Sequence, residues 1–445
     1  MTTRAYDLVV LGGGPACGPA ARRCREAGWS VAVVEAGLLG GVCPHTGCNP
    51  KKVLMAAPEA VSAAAHLAGK GLSGGPAVDW PALMAFKRSF TTPVDARVAA
   101  SYREAGIDVV RGRGVFAGPR TVRVGEAELA AKKILIAVGA THKRFDFPGA
   151  ELLSASDAFL DLDALPGRVV FVGGGFIAFE LAHVAAVCGA KATILTHGDA
   201  ALRRFDQGVV GKLVAATRAM GITVIFDAPV TAIRREGGGL AVDTPQGVCS
   251  ADMAVNAAGR PPALRGLGLE AAGIAATPRG VTVNEYLQCP GNPDVYAAGD
   301  CLDAPYALTP TADLESRLAG ENMVTGNTRA IDRTGTPSVL FTLPPLGMVG
   351  LTEEACRARG LSCVKKETDL ADSFPWKRLG ETAGWAKTLV SPGDDRILGA
   401  HILGHAAEEV INVVALAMRQ GLPASALREG IWAYPTAGYY LRYMF

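Results

Sequence analysis

The sequence predicts an α/β protein built on two dinucleotide-binding βαβ units and closed by a C-terminal α+β domain. Three observations carry this reading. A glycine-rich turn follows a short apolar strand twice, at Gly12-Gly13-Gly14 and at Gly173-Gly174-Gly175. In both copies a second apolar strand ends 23 positions after the first glycine, at Glu35 and at Thr196. Past Pro337 the pattern changes to short strands, a Pro344-Pro345 pair and an amphipathic stretch over 408–419. At ~150 residues per domain, a chain of this length holds about three domains.

Composition narrows the class. Hydrophobic residues make up 49% of the 445 and charged residues 19%, enough for a large core and against wholesale disorder. Lys and Arg number 44 against 42 Asp and Glu, with no basic block, so nucleic acid is not an expected partner. No apolar run reaches the ~18 residues of a membrane span. The N-terminus runs straight into a strand without a signal-peptide cleavage pattern. The expectation is a soluble, cytoplasmic protein. Ten cysteines are too few for a disulfide scaffold, so most should be buried thiols acting as small hydrophobes.

Taken in order, residues 6–11 (YDLVVL) form a continuous apolar run of the kind found in a buried parallel strand. Gly12 then allows the turn, Gly14 lets backbone approach a pyrophosphate, and the next helix points its N-terminus at that charge. Glu35, ending the second strand, suits the hydroxyls of a ribose. In the later copy, strands at 168–172 and 192–195 flank the turn, but Thr196 replaces the acid. His197 follows it, with Arg203 and Arg204 close behind. Losing a carboxylate and gaining basic groups is what a 2′-phosphate requires. The third glycine position is Cys17 in one copy and Ala178 in the other, both small enough for the helix to pack. Further buried strands end at Gly139 (KILIAVG) and Gly259 (DMAVNAAG), and a third, DVYAAGD, delivers Asp300 to a loop. The two βαβ units are the only internal duplication.

After Glu35 comes GGVCPHTGCNPKK, residues 40–52, with Cys43 and Cys48 five apart. In a regular helix their Cα atoms would be roughly 8–9 Å apart, beyond the ~4.4–6.8 Å of a disulfide. A bridge requires Cys43 to sit in a turn or an irregular first helical turn, for which Gly41, Pro44 and Gly47 are suited. Two buried thiols are the alternative. Zinc is disfavoured because no second Cys/His pair stands at the usual spacing, and no metal site is expected.

This segment resembles the redox motif of the pyridine nucleotide–disulfide oxidoreductases, the class of glutathione reductase, dihydrolipoamide dehydrogenase and mercuric reductase. The likeness runs through the AVG at 137–139, the second glycine turn, the AAGD ending at Asp300, the LTPTA from Leu308 and the C-terminal domain. It implies two Rossmann-like domains, for FAD and NADPH, and a C-terminal dimerisation domain. The implied boundaries are 1–150 and 266–334 for FAD, 151–265 for NADPH and 335–445 for the dimer interface. The resemblance implies FAD contacts at Gly12, Gly14, Pro15, Ala16, Glu35, Gly41, Val42, Lys51, Gly114, Ala137, Gly139, Asp300 and Thr309. It places NADPH against Gly173, Gly175, Phe176, Ile177, Glu180, His197, Arg203 and Gly259, with Phe176 as an aromatic lid. Electrons would pass from NADPH through FAD to a Cys43–Cys48 disulfide. Cys48 would be the thiol nearer the flavin and Cys43 the one exchanging with substrate. Lys51 would pair with Glu180.

The C-terminus departs from the family. Where its disulfide reductases carry His-Pro-Thr, with a Glu five residues after the His, this chain has Tyr434-Pro435-Thr436 and Tyr439. A phenol of pKa ~10 is a poor base at neutral pH but can donate a proton. Tyr434 is therefore the expected substitute, with His45 a further candidate that also reads as a helix-surface residue. Cys17 and Cys301 read as packing thiols. The tail after Cys363 lacks the cysteine pair of mercuric reductases. The leading expectation is a homodimeric NADPH-dependent flavoprotein reducing a small-molecule or peptide disulfide. A reductase of metal ions, quinones or similar acceptors is the alternative, and a flavin-based redox sensor a third reading.

Overall fold

The computed structural model describes residues 3–445, which divide into two compact units. One takes the chain to Pro50 together with Lys87–Lys143 and Arg260–Arg333; the other takes Lys51–Phe86, Arg144–Gly259 and Thr334–Phe445.

The first unit is organised by an eight-stranded sheet. Strand Thr3–Leu11 lies at its centre, parallel to Val31–Glu35 on one side and to Ala127–Ile136 on the other. Its inner end, Leu8 to Leu11, is buried, as a parallel strand covered on both faces demands. At Leu11 three strand ends meet: the Gly12 amide donates to the Val34 carbonyl (2.8 Å), and the Ala137 amide donates to that of Leu11 (2.8 Å). Gly12 has φ +105, and a Cβ there would be driven into the Ala137 carbonyl. Helix Gly18–Glu26 starts after this turn, with no acidic residue in its first turn.

The second unit repeats the arrangement in a five-stranded parallel sheet. Strand Arg168–Val172 sits between Lys191–Leu195 and Met253–Asn256. The Gly173 amide donates to the Leu195 carbonyl (2.8 Å) and the Ala257 amide to that of Val172 (2.9 Å). Gly173 has φ +130 against the Ala257 carbonyl. Helix Phe176–Val187 follows, buried nearly all round, which explains why it lacks an amphipathic pattern. It carries His183 into the core, where burial lowers the imidazole to about 3. That neutral ring accepts from the Leu343 amide at Nδ1 (3.1 Å) and bonds Thr217 through Nε2 (3.0 Å).

The same unit holds an antiparallel five-stranded sheet in the order Pro337–Leu340, Leu346–Gly350, Ile397–Leu403, Trp385–Val390, Val364–Asp369. The amphipathic helix Ala407–Arg419 packs on it through Val410, Ile411 and Val414. No helix among the described residues is long and apolar enough to cross a membrane.

Gly173→Ala should add a strained positive φ to a backbone collision. The expected loss is about 2–4 kcal/mol, read from urea unfolding. Gly189→Ala, at φ +103 but in open space, should cost only the strain part of that loss.

Candidate active site

The thiol segment is not one helix. Residues Val42–Thr46 form a single turn, the chain breaks at Gly47, and a new helix runs over Cys48–His66. A Cβ on Gly47 would lie 3.0 Å from the Val42 carbonyl oxygen and 3.2 Å from the Cys43 Cα, so glycine lets the turn fold back on itself. The break answers the spacing problem of a continuous helix. Cys43 and Cys48 are both free thiols, the first half-buried and the second exposed. The neighbouring Cys48, with burial, pushes the Cys43 thiol well up. Thr309 and the Cys48 amide pull the other way. The Cys48 sulfur shares a contact of 3.6 Å with Thr309 Oγ1, at the start of helix Thr309–Thr325. His45 is half-buried, its Nε2 bonded to the Leu39 carbonyl (2.8 Å). It lies on the short helix Val42–Thr46, half-buried rather than on a free helix surface.

Around this segment lie the other residues predicted for the first unit. Gly41, at φ +67, brings its backbone against Gly14; a Cβ on Gly41 would lie 2.7 Å from the Gly14 Cα. Glu35 accepts from the Gly13 amide through Oε2 (2.6 Å) and from the Gly37 amide through Oε1 (2.6 Å). Both oxygens are thereby aimed while keeping lone pairs for hydroxyls. A cleft of ≈ 280 Å³ opens on the turn, lined by Gly14, Pro15, Gly40, Arg22 and Arg97. Ala16 is buried and Val42 exposed. Ala137 and Gly139, at φ +66, close the strand beside the turn. Asp300 follows strand Asn292–Ala297 in a half-buried position, where burial raises its carboxyl against the pull of Arg260. Gly114 packs edge-on to Leu11, Val34 and Val122, so its lack of a side chain serves the core. A flavin dinucleotide fits these features: bare backbone and a helix N-terminus for pyrophosphate, an aimed carboxylate for ribose, and Asp300 for polyol hydroxyls.

In the second unit, Lys51 and Glu180 form a buried ion pair, Nζ donating to Oε1 at 2.7 Å. Burial pushes the Glu180 carboxyl up, and Lys51 and the Phe341 amide, which donates to Oε1 at 2.9 Å, oppose it. The Phe341 ring lies 4.1 Å from Lys51 Nζ, a cation–π contact. The glycine turn presents Gly175 and Ile177 half-buried and Phe176 55% exposed at the first helical position. Thr196, buried, donates to the Gly198 carbonyl, and His197 is exposed. Arg203 is paired with Asp199 at 2.9 Å, an acid the sequence reading passed over. Gly259 is exposed at φ +105. Tyr434 is 66% exposed, its ring edge-on to Tyr439 with centroids 4.9 Å apart.

The family model described as pyridine nucleotide-disulphide oxidoreductase matches residues 6–316, and the dimerisation domain of that family matches 336–442. The chain belongs to the pyridine nucleotide-disulphide oxidoreductases. It is 31% identical to the dihydrolipoyl dehydrogenase of Bacillus subtilis, over 97% of this chain and 94% of that one. A glutathione reductase of Nostoc is 30% identical over 97% of each, and a mercuric reductase of Staphylococcus aureus 30% over 97% and 80%. Among solved structures, the HOCl-induced flavoprotein disulfide reductase RclA from Escherichia coli superposes with a TM-score of 0.89 at 28% identity, covering 99% of each chain. Its Cu(II) complex does so at 0.89 and 27%. The protein is therefore an FAD-dependent disulfide oxidoreductase that uses NAD(P)H and carries a dimerisation domain.

Sequence reasoning missed Thr309 as a partner of the cysteine sulfur, and it missed Phe341. It also missed Glu315, buried beside the Asp300 turn and accepting from the Gly299 amide (2.8 Å) and Arg333 (2.7 Å). Only the carboxylate inside an apolar helix face, LTPTADLE, hinted at it. Replacing Lys51 with Met leaves Glu180 buried with only an amide donor. We expect about 3–5 kcal/mol of destabilisation in chemical unfolding, recovered in large part by the double change Lys51→Met, Glu180→Leu.

Proposed function

We propose that the protein is a homodimeric NADPH-dependent reductase of small-molecule or peptide disulfides. The observation that carries this reading is the thiol pair itself: Cys43 and Cys48, brought close across the break at Gly47, with Cys48 exposed. FAD, when bound, supplies the two-electron relay between a nicotinamide and this pair. The chain's own part is thiol–disulfide exchange. The Cys43 thiolate attacks one sulfur of the substrate, a mixed disulfide forms, and the first thiol leaves. The Cys48 thiolate then attacks Cys43, releasing the second thiol and closing the Cys43–Cys48 disulfide. Thr309 steadies the Cys48 sulfur meanwhile. Tyr434 of the partner subunit takes the place of the family's histidine and donates the proton that the leaving thiolate needs.

A second reading is favoured by one observation. A cysteine pair with Cys48 exposed suits a soft, thiophilic metal ion, whose reduction needs no proton for a leaving group. The similarity to a Cu(II) complex of RclA and to mercuric reductases supports it. Anaerobic NADPH consumption by the FAD-loaded protein separates the two, using a panel of disulfides against Cu(II) and Hg(II). Turnover on a disulfide, abolished by Cys43→Ser, carries the first reading; turnover on the metal ions alone carries the second.

The Cys43 thiol, pushed up by the neighbouring Cys48 and by burial, is mostly protonated at neutral pH. Below such a pKa the thiolate fraction rises about tenfold per pH unit, so kcat/KM should climb from pH 7 to 9. Tyr434→Phe should lower that rate while leaving flavin reduction by NADPH intact. A pH-independent rate would remove Cys43 from the rate-determining attack.

NADPH preference is supported by Thr196 in the place of a ribose-binding acid, with His197 and Arg203 beside it. The Asp199 pair must release Arg203 for it to meet a phosphate. Arg203→Ala should therefore reduce the NADPH over NADH ratio of kcat/KM by about tenfold, and Asp199→Asn should raise it. Equal use of both cofactors by the unaltered protein would refute this assignment.

A further inference from the structure

Two other cysteines meet away from this site. Helix Glu353–Ala358 opens at Thr352, whose Oγ1 accepts from the Ala355 amide (3.1 Å), and closes through Gly360 at φ +65. The Leu361 amide returns to the Cys356 carbonyl (3.0 Å) and the Gly360 amide to that of Arg357 (3.1 Å). This is a Schellman closure, which reverses the chain at a helix end. It lays the next residues back on the helix before strand Val364–Asp369 begins. Cys363 thereby packs on Cys356 in an apolar pocket with Leu351, Leu389 and Leu398. Both are free thiols, Cys356 buried and Cys363 half-buried.

We propose that Cys356 and Cys363 are a second redox pair, closed to a disulfide by hydrogen peroxide, that staples the helix Glu353–Ala358 to the strand Val364–Asp369. The half-buried Cys363, as its thiolate, attacks a peroxide oxygen, the O–O bond breaks, and water leaves after taking up a proton. Cys356 then attacks the sulfenic sulfur: the S–S bond forms, the S–O bond breaks, and a second water leaves. Two thiols lose two electrons and one peroxide becomes two waters. Burial raises the Cys356 thiol, which suits the resolving role rather than first attack.

The stapled elements are consequential ones. Val364–Asp369 is the edge of its sheet, paired only with Trp385–Val390 among the described strands. The helix begins at Glu353, whose amide donates to Asp206 Oδ2 (3.1 Å) and whose carboxylate pairs with Lys387. Lys387 is itself buried and bonded to Asp206 (3.0 Å). Closing the pair would tie the sheet edge to this buried cation.

The test treats the FAD-loaded full-length protein with hydrogen peroxide, blocks remaining thiols with iodoacetamide and digests with trypsin. Cleavage after Arg357 and Arg359 separates the two cysteines, so only a disulfide keeps their peptides together. The expected result is one linked pair, split by dithiothreitol, and a melting temperature higher by a few degrees. Cys363→Ser should abolish both changes and keep NADPH-driven turnover, and Cys363→Ala is the alternate variant if the serine does not fold. Recovery of both peptides separately alkylated would overturn the proposal. So would Cys363 as sulfinic or sulfonic acid beside an alkylated Cys356.

Discussion

The architecture hangs on a backbone crossing made twice. At Gly12 and again at Gly173 the chain leaves a central strand by passing against the carbonyl of a neighbouring strand's end, Ala137 in one case and Ala257 in the other. Any side chain would push the strands apart, and both crossings are sealed by equivalent hydrogen bonds on either side. Ligand binding follows from the same constraint. Where a Cβ is excluded, backbone amides and the start of a helix lie bare, and a pyrophosphate can approach them. The two copies then diverge by one position. Glu35 braces its turn by accepting two amides, whereas Thr196 spends its hydroxyl on the Gly198 carbonyl. That single change replaces a carboxylate with a neutral hydroxyl at the strand end.

Buried charge is handled pairwise throughout. Glu180 has Lys51 and an amide, Glu315 has Arg333 and an amide, and Lys387 has Asp206 and Glu353. Each pair offsets a desolvation cost that would otherwise drive the group to its neutral form. Such pairs add little net stability compared with apolar packing, yet losing one partner is expensive. For Lys51 the result is a cation held in place between a carboxylate and the face of Phe341.

What could be read from the sequence was what local covalent geometry dictates. The glycine turns, their strands and Glu35 were legible because only glycine makes those crossings and because apolar runs mark buried strands. The Cys43–Cys48 pair and the pairing of Lys51 with Glu180 came through resemblance to a known motif, and spacing alone left the geometry open. The break at Gly47 was not legible: that glycine is required by the Val42 carbonyl and the Cys43 Cα, which only the folded turn brings near. His45 was read as surface because its partner, the Leu39 carbonyl, is offered by a loop of irregular shape. Asp199 went unweighed although it stands four residues before Arg203, since a charged loop gives no sign of which acid a base will choose. Phe341 and Glu315 act through contacts distant in sequence, where periodicity carries no information.

The acid–base state of the dithiol sets what it can reduce. When two thiols lie close, the first proton to leave is helped by the remaining thiol and the second is hindered, so the two titrate as one system. The one histidine in the segment is hydrogen-bonded through Nε2 to the Leu39 carbonyl. Attack is then slow on a disulfide whose leaving thiol is basic, and faster where that thiol is acidic, because an acidic thiolate departs without a proton. Thiophilic metal ions carry the same advantage further, since the ligand they shed need not be protonated at all. In the proposed mechanism a disulfide with a basic leaving thiol therefore depends on the proton assigned to Tyr434 of the partner subunit, whereas an acidic thiol or a metal ion depends on it less.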